Sequence, residues 1–214
     1  MTPEQKKFDD IKHTTDYKTV GDDIDYKVYI DDQAEEVVLL FKESDSRNDW
    51  KNNFLAFPWP VRLETGYERY KTAWTTYGYA KAYESAESVP VEELLHEESH
   101  HPTYKVCIRG WSFGSAMAKI ATRHLEALGC EVDELTTYGD VKCWLNPFYK
   151  TKATTAREYT TPNDIVTYAV PFYWRDRKCK VGPALKIKEL FNPDYWHTHY
   201  EEYDYSKYEE EDYT

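Results

Sequence analysis

The GWSFG segment at residues 110–114 constrains the fold of this chain more than any other feature. It follows an apolar run at 104–108, which is typical of a buried strand, and it precedes a helical pattern over 112–128. A serine between a strand and a helix, with glycine two residues to either side, predicts a very sharp turn that lifts the hydroxyl above the sheet edge. Larger residues at the two glycine positions would collide across that turn. The sequence therefore predicts that Ser112 is a nucleophile at the start of a helix.

Extended and helical patterns alternate along the chain, which predicts an α/β fold. Strands are expected at 26–30, 37–41, 104–108, 134–138, 158–160 and within 184–190. A polar turn separates the first two, so they form an N-terminal antiparallel hairpin, while the remaining sheet is mostly parallel and flanked by helices. We expect a single domain over residues 1–199. Residues 200–214 contain five tyrosines and seven acidic residues, and this composition predicts an acidic tail or a solvated last helix.

Composition excludes several classes of function. The net charge of −12 disfavours a nucleic-acid-binding protein, because phosphates are bound by Lys and Arg. No apolar run approaches the length of a membrane span, so no stable membrane insertion is expected. The first ten residues are polar and do not resemble a secretory signal. The four cysteines form no CxxC pair, and together these features predict a cytoplasmic protein with reduced thiols.

A serine hydroxyl needs a histidine base, and that base needs an orienting acid. On a strand–turn–helix of this kind, the acid and then the histidine follow the serine along the chain. Asp140 and Asp164 are the acids to consider, and Asp164 is favoured because it lies in a loop after a predicted strand. Only His197 and His199 follow Asp164. The residues leave the choice between these two histidines open.

A second motif, HEESH at 96–100, matches the HExxH pattern of zinc peptidases. His101 and Pro102 end the predicted helix at once, and no third zinc ligand is placed by the sequence. A solvated helix is therefore the preferred interpretation, and a zinc peptidase is the weaker alternative. The sequence predicts no metal site and no cofactor.

The order of these segments resembles the class-three, fungal-type lipases of the α/β-hydrolase fold. The resemblance covers about residues 26–199 and rests on several segments in the right order. These are VVLLFKESDSRNDWKNN at 37–53, the Gly-Tyr pair at 66–67, the serine turn, LTTYG at 135–139, NDIV at 163–166 and the late histidines. The resemblance implies an ester hydrolase.

The family's roles transfer to matching positions of this sequence. Ser112 would be the nucleophile, Asp164 the orienting acid, and His197 or His199 the base. His197 is slightly favoured, because an aromatic residue at position 200 resembles the family's His-x-x-aromatic ending. Ser44 and the amide of Phe113 would form the oxyanion hole.

The sequence also departs from the family pattern. Trp111 replaces the usual His, and Glu43 and Ser115 replace Gly. A carboxylate at position 43 would oppose an oxyanion if it faced one, but alternation along an extended chain predicts that Glu43 points away from the side to which Ser44 points. A hydrolase fold that serves only as a binding or structural module is therefore a further alternative.

The segment at 74–102 lies where the family has a lid or an active-site helix. It is rich in Tyr and acidic residues rather than in Leu and Ile. We therefore expect the substrate to be a small or soluble ester, or a single phospholipid, rather than a triglyceride droplet. The oligomeric state is not indicated by the sequence.

Overall fold

The computed structural model describes residues 1–43, 57–63, 71–146, 150–168, 173–175, 178–181, 197–206 and 209–211. The helices are α1 (Pro3–His13), α2 (Tyr77–Ser85), α3 (Val89–His100) and α4 (Phe113–Leu128). The strands are β1 (Lys18–Val20), β2 (Ile24–Asp31), β3 (Glu36–Phe41), β4 (Pro58–Leu63), β5 (Lys71–Thr76), β6 (Lys105–Trp111), β7 (Glu134–Tyr138), β8 (Thr155–Thr160), β9 (Lys178–Lys180) and β10 (Glu209–Glu211). Short 3₁₀ turns occupy Ile165–Tyr168 and Tyr200–Glu202.

The central sheet of the described residues has the strand order β1-β2-β3-β6-β7-β8-β9-β10. Neighbouring strands from β3 to β9 run parallel, whereas β1–β2, β2–β3 and β9–β10 pair antiparallel. The expected α/β fold, with a mostly parallel sheet and an antiparallel N-terminal hairpin, is confirmed. The expected strand at 158–160 begins earlier, at Thr155, and the one expected within 184–190 lies outside the described residues. A separate hairpin, β4–β5, was not predicted.

Both faces of the central strands are covered, as the continuous apolar run at 37–41 predicts. Along β3, Val37, Leu39 and Phe41 face the core beneath α2, α3 and α4. Val38 and Leu40 face a second core, formed with α1 and the C-terminal tyrosines. Because side chains alternate along a strand, one β3 sequence supports two hydrophobic layers. Cys107 belongs to the second layer, and burial raises the pKa of its thiol to about 12, so it behaves as a small apolar residue.

Helix α1 was not predicted, although its start carries a recognisable signal. Thr2 and Gln5 form a capping box. The backbone N–H of Gln5 donates to Thr2 Oγ1 at 3.2 Å, and the backbone N–H of Thr2 donates to the side-chain Oε1 of Gln5 at 2.7 Å. Phe8 then packs between the rings of Trp111, Tyr138 and Tyr200, with centroid distances of 5.1–5.6 Å. Helix α1 therefore packs against both the end of β6 and the C-terminal segment.

The C-terminal segment differs from the expected acidic tail. Tyr200, Tyr203 and Tyr205 are buried in the second core, and Glu209–Glu211 adds an antiparallel edge strand beside β9. The cause is the aromatic content of the segment, because each buried ring removes a large apolar area from water and outweighs the adjacent charges. No helix within the described ranges is both long and apolar enough to cross a membrane.

Candidate active site

The turn at Ser112 has the backbone geometry that the sequence predicted. Strand β6 ends at Trp111 and α4 begins at Phe113, so Ser112 alone joins them, with φ 55° and ψ −120°. Such a positive φ is strained for a residue with a side chain. A Cβ atom at Gly110 would collide with the carbonyl oxygen of Gly114, and one at Gly114 would lie 2.5 Å from that of Phe41. Both glycines are therefore required by close backbone contacts.

The structure brings Ser112, His197 and Asp164 together in a line of hydrogen bonds. His197 Nε2 lies 2.6 Å from Ser112 Oγ, and His197 Nδ1 lies 2.8 Å from Asp164 Oδ2. The three residues come from three separate segments and are 4%, 3% and 0% exposed, respectively. In this arrangement, the imidazole is within reach of the serine proton while its other nitrogen is held by a carboxylate.

Asp164 is held by backbone and side-chain donors. Its Oδ1 accepts the Val166 amide at 3.1 Å, and its Oδ2 accepts the Tyr200 hydroxyl at 3.0 Å. The same hydroxyl accepts the Thr161 amide at 3.2 Å. Burial, reinforced by the Asp164 carboxylate, raises the pKa of Tyr200 well above its ordinary value. Tyr200 therefore remains protonated and donates to Asp164.

His197 is fixed by contacts on two sides. The indole Nε1 of Trp111 donates to the backbone oxygen of His197 at 3.1 Å. On another side Gly139, with φ +53°, lies so close that a Cβ at this position would be 2.8 Å from His197 Cε1. The replacement of the family's His by Trp111 therefore supplies a donor that anchors the segment carrying the imidazole.

The structure separates the two late histidines. His197 makes the contacts to both Ser112 and Asp164, whereas His199 Nδ1 lies 2.9 Å from the hydroxyl of Thr198. The imidazole that contacts both Ser112 and Asp164 is therefore that of His197. Sequence spacing alone could not distinguish them.

Asp140, the other acid that the sequence offered, belongs to a different cluster. Its carboxylate contacts Lys119 Nζ at 2.9 Å and Arg175 Nε at 3.0 Å, and Thr137 Oγ1 donates to it at 2.9 Å. Lys119 also donates to the backbone oxygen of Val141 at 2.6 Å. The sequence did not predict that Lys119 and Arg175 are buried beside Asp140, because no sequence pattern links them to this residue.

The structure describes one of the two residues expected to form the oxyanion hole, Phe113, but not the other, Ser44. Phe113 is the first residue of α4, directly after Ser112, so its amide lies at the helix N-terminus. Ser44 lies outside the described residues. The oxyanion roles of both residues stay predictions.

The Glu43 carboxylate, just after β3, lies closer to the Ser112–His197–Asp164 hydrogen bonds than expected from the sequence. Its Oε1 lies 3.9 Å from His197 Nε2, and its side chain is 18% exposed. The preceding side chain, Lys42, points elsewhere, with its Nζ 5.8 Å from the ring centroid of Tyr17. Whether Glu43 points away from Ser44, as expected, involves a residue outside the described ones, but the Glu43 carboxylate itself lies on the side of His197 Nε2.

The HEESH segment forms the second half of α3, and His96 and His100 are exposed on it. His100 Nδ1 lies 2.8 Å from the backbone oxygen of His96, and His101 Nδ1 lies 3.0 Å from that of Glu97. Among the described residues, no group of three or more His, Cys, Asp or Glu side chains is arranged to hold a metal ion. The carboxyl-terminal half of α3 is exposed at His96, Ser99 and His100.

Comparison with known structures finds the same overall fold in fungal lipases. A fungal lipase–inhibitor complex, described in a study of interfacial activation, aligns with a TM-score of 0.63 and 20% identity, over 77% of this chain and 63% of that one. A triacylglycerol lipase described as having a serine protease triad aligns with a TM-score of 0.63 and 19% identity, over 78% and 65%. The mono- and diacylglycerol lipase of Aspergillus oryzae aligns with a TM-score of 0.61 and 20% identity, over 79% and 62%.

This chain thus spans somewhat less than two thirds of the length of each of these lipases. Comparison with curated protein sequences gives no significant match. The family comparison does give a match, to Lipase (class 3), over residues 38–173, which is more than half of the chain. The chain therefore belongs to the class 3 lipase family.

Proposed function

We propose that the protein is a serine hydrolase that cleaves a carboxylic ester through an acyl-enzyme intermediate. The observation that carries this proposal is the line of hydrogen bonds from Ser112 Oγ through His197 to Asp164, with distances of 2.6 and 2.8 Å. In the proposed triad, Ser112 is the nucleophile, His197 the general base and Asp164 the orienting acid.

The reaction proceeds in two halves. His197 Nε2 takes the proton of Ser112 as Oγ attacks the ester carbonyl, and the resulting imidazolium gives that proton to the departing alcohol. Water then attacks the acyl-enzyme with His197 again acting as base, which releases the carboxylic acid and restores the serine. Asp164 keeps the imidazole in the required tautomer and stabilises its protonated form. The amides near Ser44 and Phe113 would stabilise the tetrahedral oxyanion.

The family and its structural relatives support an ester substrate. One relative is described as a triacylglycerol lipase with a serine protease triad, and another as a mono- and diacylglycerol lipase. By analogy we propose a lipid ester or a related ester, with no cofactor. We retain the cytoplasm as the proposed location, which the absence of a disulfide between any of the four cysteines supports.

Among such esters, we favour small or soluble ones. Five of the six exposed positions of α2 and α3 are polar, namely Lys81, Glu92, His96, Ser99 and His100, and the sixth is Val89; such a mainly polar surface suits a dissolved substrate. The exposed indoles of Trp59 and Trp74 on the β4–β5 hairpin favour the opposite outcome, a long-chain lipid. Hydrolysis of short-chain and long-chain nitrophenyl esters distinguishes the two, and a clear preference for long chains would refute the proposed size class.

A fluorophosphonate probe tests the proposed nucleophile directly. We expect stoichiometric labelling of the native protein at Ser112 and loss of the label in Ser112→Ala. His197→Ala should abolish labelling as well, whereas His199→Ala, the matched control, should retain it. A folded protein that neither reacts with the probe nor hydrolyses esters would instead be a binding or structural module on a hydrolase fold, the alternative that the family departures at Glu43 and Trp111 raise.

A further inference from the structure

We propose that Glu43 selects the substrate by charge, favouring esters whose leaving alcohol is positively charged and disfavouring those whose alcohol is negatively charged. This inference rests on the proposed ester hydrolysis and specifies its substrate class. The observation behind it is the position of the Glu43 carboxylate, 3.9 Å from the Nε2 atom of His197.

The position of Nε2 defines where the alcohol must lie. This nitrogen accepts the proton of Ser112 and then donates it to the leaving oxygen, so that oxygen must come within hydrogen-bond distance of Nε2. Substituents on the alcohol therefore lie within a few ångströms of the same atom. A carboxylate 3.9 Å from Nε2 thus borders the leaving-group side of the site.

The surroundings of Glu43 allow its charge to act there. With 18% of its side chain exposed, the carboxylate is shielded from much of the solvent, and water screens its field less there than at a fully exposed position. On the far side of the imidazole, Asp164 contacts Nδ1 at 2.8 Å, so the two carboxylates flank opposite nitrogens of one ring.

A second carboxylate is not needed to orient the imidazole, because Asp164 and Trp111 already do so. What Glu43 adds is a partly exposed carboxylate beside His197 Nε2. Opposite charges a few ångströms apart in a partly exposed site attract one another strongly enough to change a rate constant severalfold, and like charges repel to a similar extent. The effect depends on the alcohol rather than on the acyl group.

Three butyrate esters test this inference. They are butyrylcholine, its neutral carbon isostere in which a quaternary carbon replaces the nitrogen, and the anionic sulfopropyl butyrate. For the native protein, we expect kcat/KM for butyrylcholine to exceed that for the neutral isostere by about fivefold or more, with the anionic ester slowest. High salt should reduce this preference, because counter-ions screen the carboxylate.

The variant Glu43→Gln keeps the size of the side chain and removes its charge. We expect the ratio of butyrylcholine to neutral isostere to fall to about one. Glu92→Gln removes the same charge from an exposed position on α3 and should keep the native ratio. A native ratio near one, or a ratio unchanged in Glu43→Gln, would overturn the inference while neutral-ester hydrolysis left the proposed function intact. If none of the three esters were hydrolysed and Ser112 did not react with a fluorophosphonate, the proposed function itself would fail, and the charge selection with it.

Discussion

Asp140 and Asp164 are the same residue type in the same kind of place, yet they have different surroundings. Each follows a parallel strand at its carboxyl end, Asp140 after β7 and Asp164 after β8, and each is 0% exposed. Asp140 is neutralised by Lys119 and Arg175. Asp164 instead contacts the imidazole of His197 and the hydroxyl of Tyr200.

The comparison shows that partners, rather than position, decide what a buried carboxylate can do. A carboxylate that contacts two buried cations has its charge committed to them, and its removal takes a counter-charge away from both. A carboxylate facing a histidine keeps a negative charge available for the moment when the imidazole becomes protonated. Asp140 thus has the surroundings of a structural residue, and Asp164 those of a triad acid.

The largest expected difference is in activity. Asp164→Asn should lower kcat by about 10⁴-fold, because an amide cannot hold the imidazole in the productive tautomer or stabilise its charge. The measurement is single-turnover hydrolysis of a nitrophenyl ester, with thermal unfolding to show that the variant remains folded. A loss below about tenfold would contradict the assigned role of Asp164.

Asp140→Asn should instead act on stability. We expect unfolding in urea to show a loss at the lower end of about 3–5 kcal/mol, because Lys119 and Arg175 lose a buried counter-charge while Glu158 Oε2 stays 4.0 Å from Lys119 Nζ. At temperatures where the variant is folded, its kcat should fall far less than that of Asp164→Asn. If the two variants lost activity equally while both stayed folded, the distinction between the two carboxylates would be wrong.

The Tyr200 hydroxyl allows a smaller test of the role of Asp164. Tyr200→Phe removes the donor to Asp164 Oδ2 and leaves the Thr161 amide without this acceptor. A hydrogen bond to a charged group contributes about 1.5–3 kcal/mol, so we expect kcat to fall by about tenfold with KM nearly unchanged. A change in KM alone would indicate that Tyr200 shapes substrate binding rather than Asp164.

Ser115 forms hydrogen bonds both at Ser112 and next to Asp140. Its replacement should have the smallest effect on activity and stability of the variants considered. Its hydroxyl donates to the Ser112 carbonyl at 2.6 Å and accepts the Val141 amide at 3.1 Å, one residue after Asp140. Ser115→Ala should cost about 1 kcal/mol of stability and leave kcat within a few-fold of the native value, because neither bond touches the reacting atoms. Urea unfolding and steady-state hydrolysis measure both, and a large kcat loss would show that the regions are coupled through this hydroxyl.

The sequence indicated the local structure around Ser112, the proposed nucleophile. Gly110 and Gly114 predict the sharp turn at Ser112, because only a residue without Cβ fits the backbone contacts that the structure shows. The apolar stripe over 112–128 likewise predicts α4. These features depend on neighbours within a few residues, so a single segment contains the information.

Other features of the site depended on packing between distant segments. The choice of His197 over His199 follows from contacts to Trp111, Gly139 and Asp164, none of which lies within thirty residues of it in the sequence. The 3.9 Å approach of the Glu43 carboxylate to His197 Nε2 likewise joins residues that lie far apart in the sequence.

The sequence by itself thus determined the α/β fold, the strained serine turn and a short set of candidate acids and bases, because periodicity and steric demands are local. Tertiary structure alone decided which carboxylate contacts cations, which contacts the imidazole, and that the C-terminal tyrosines are buried. The physical reason is that electrostatic partnership and burial depend on distances in space, and residues such as Lys119 and Arg175 become neighbours only when the chain has folded.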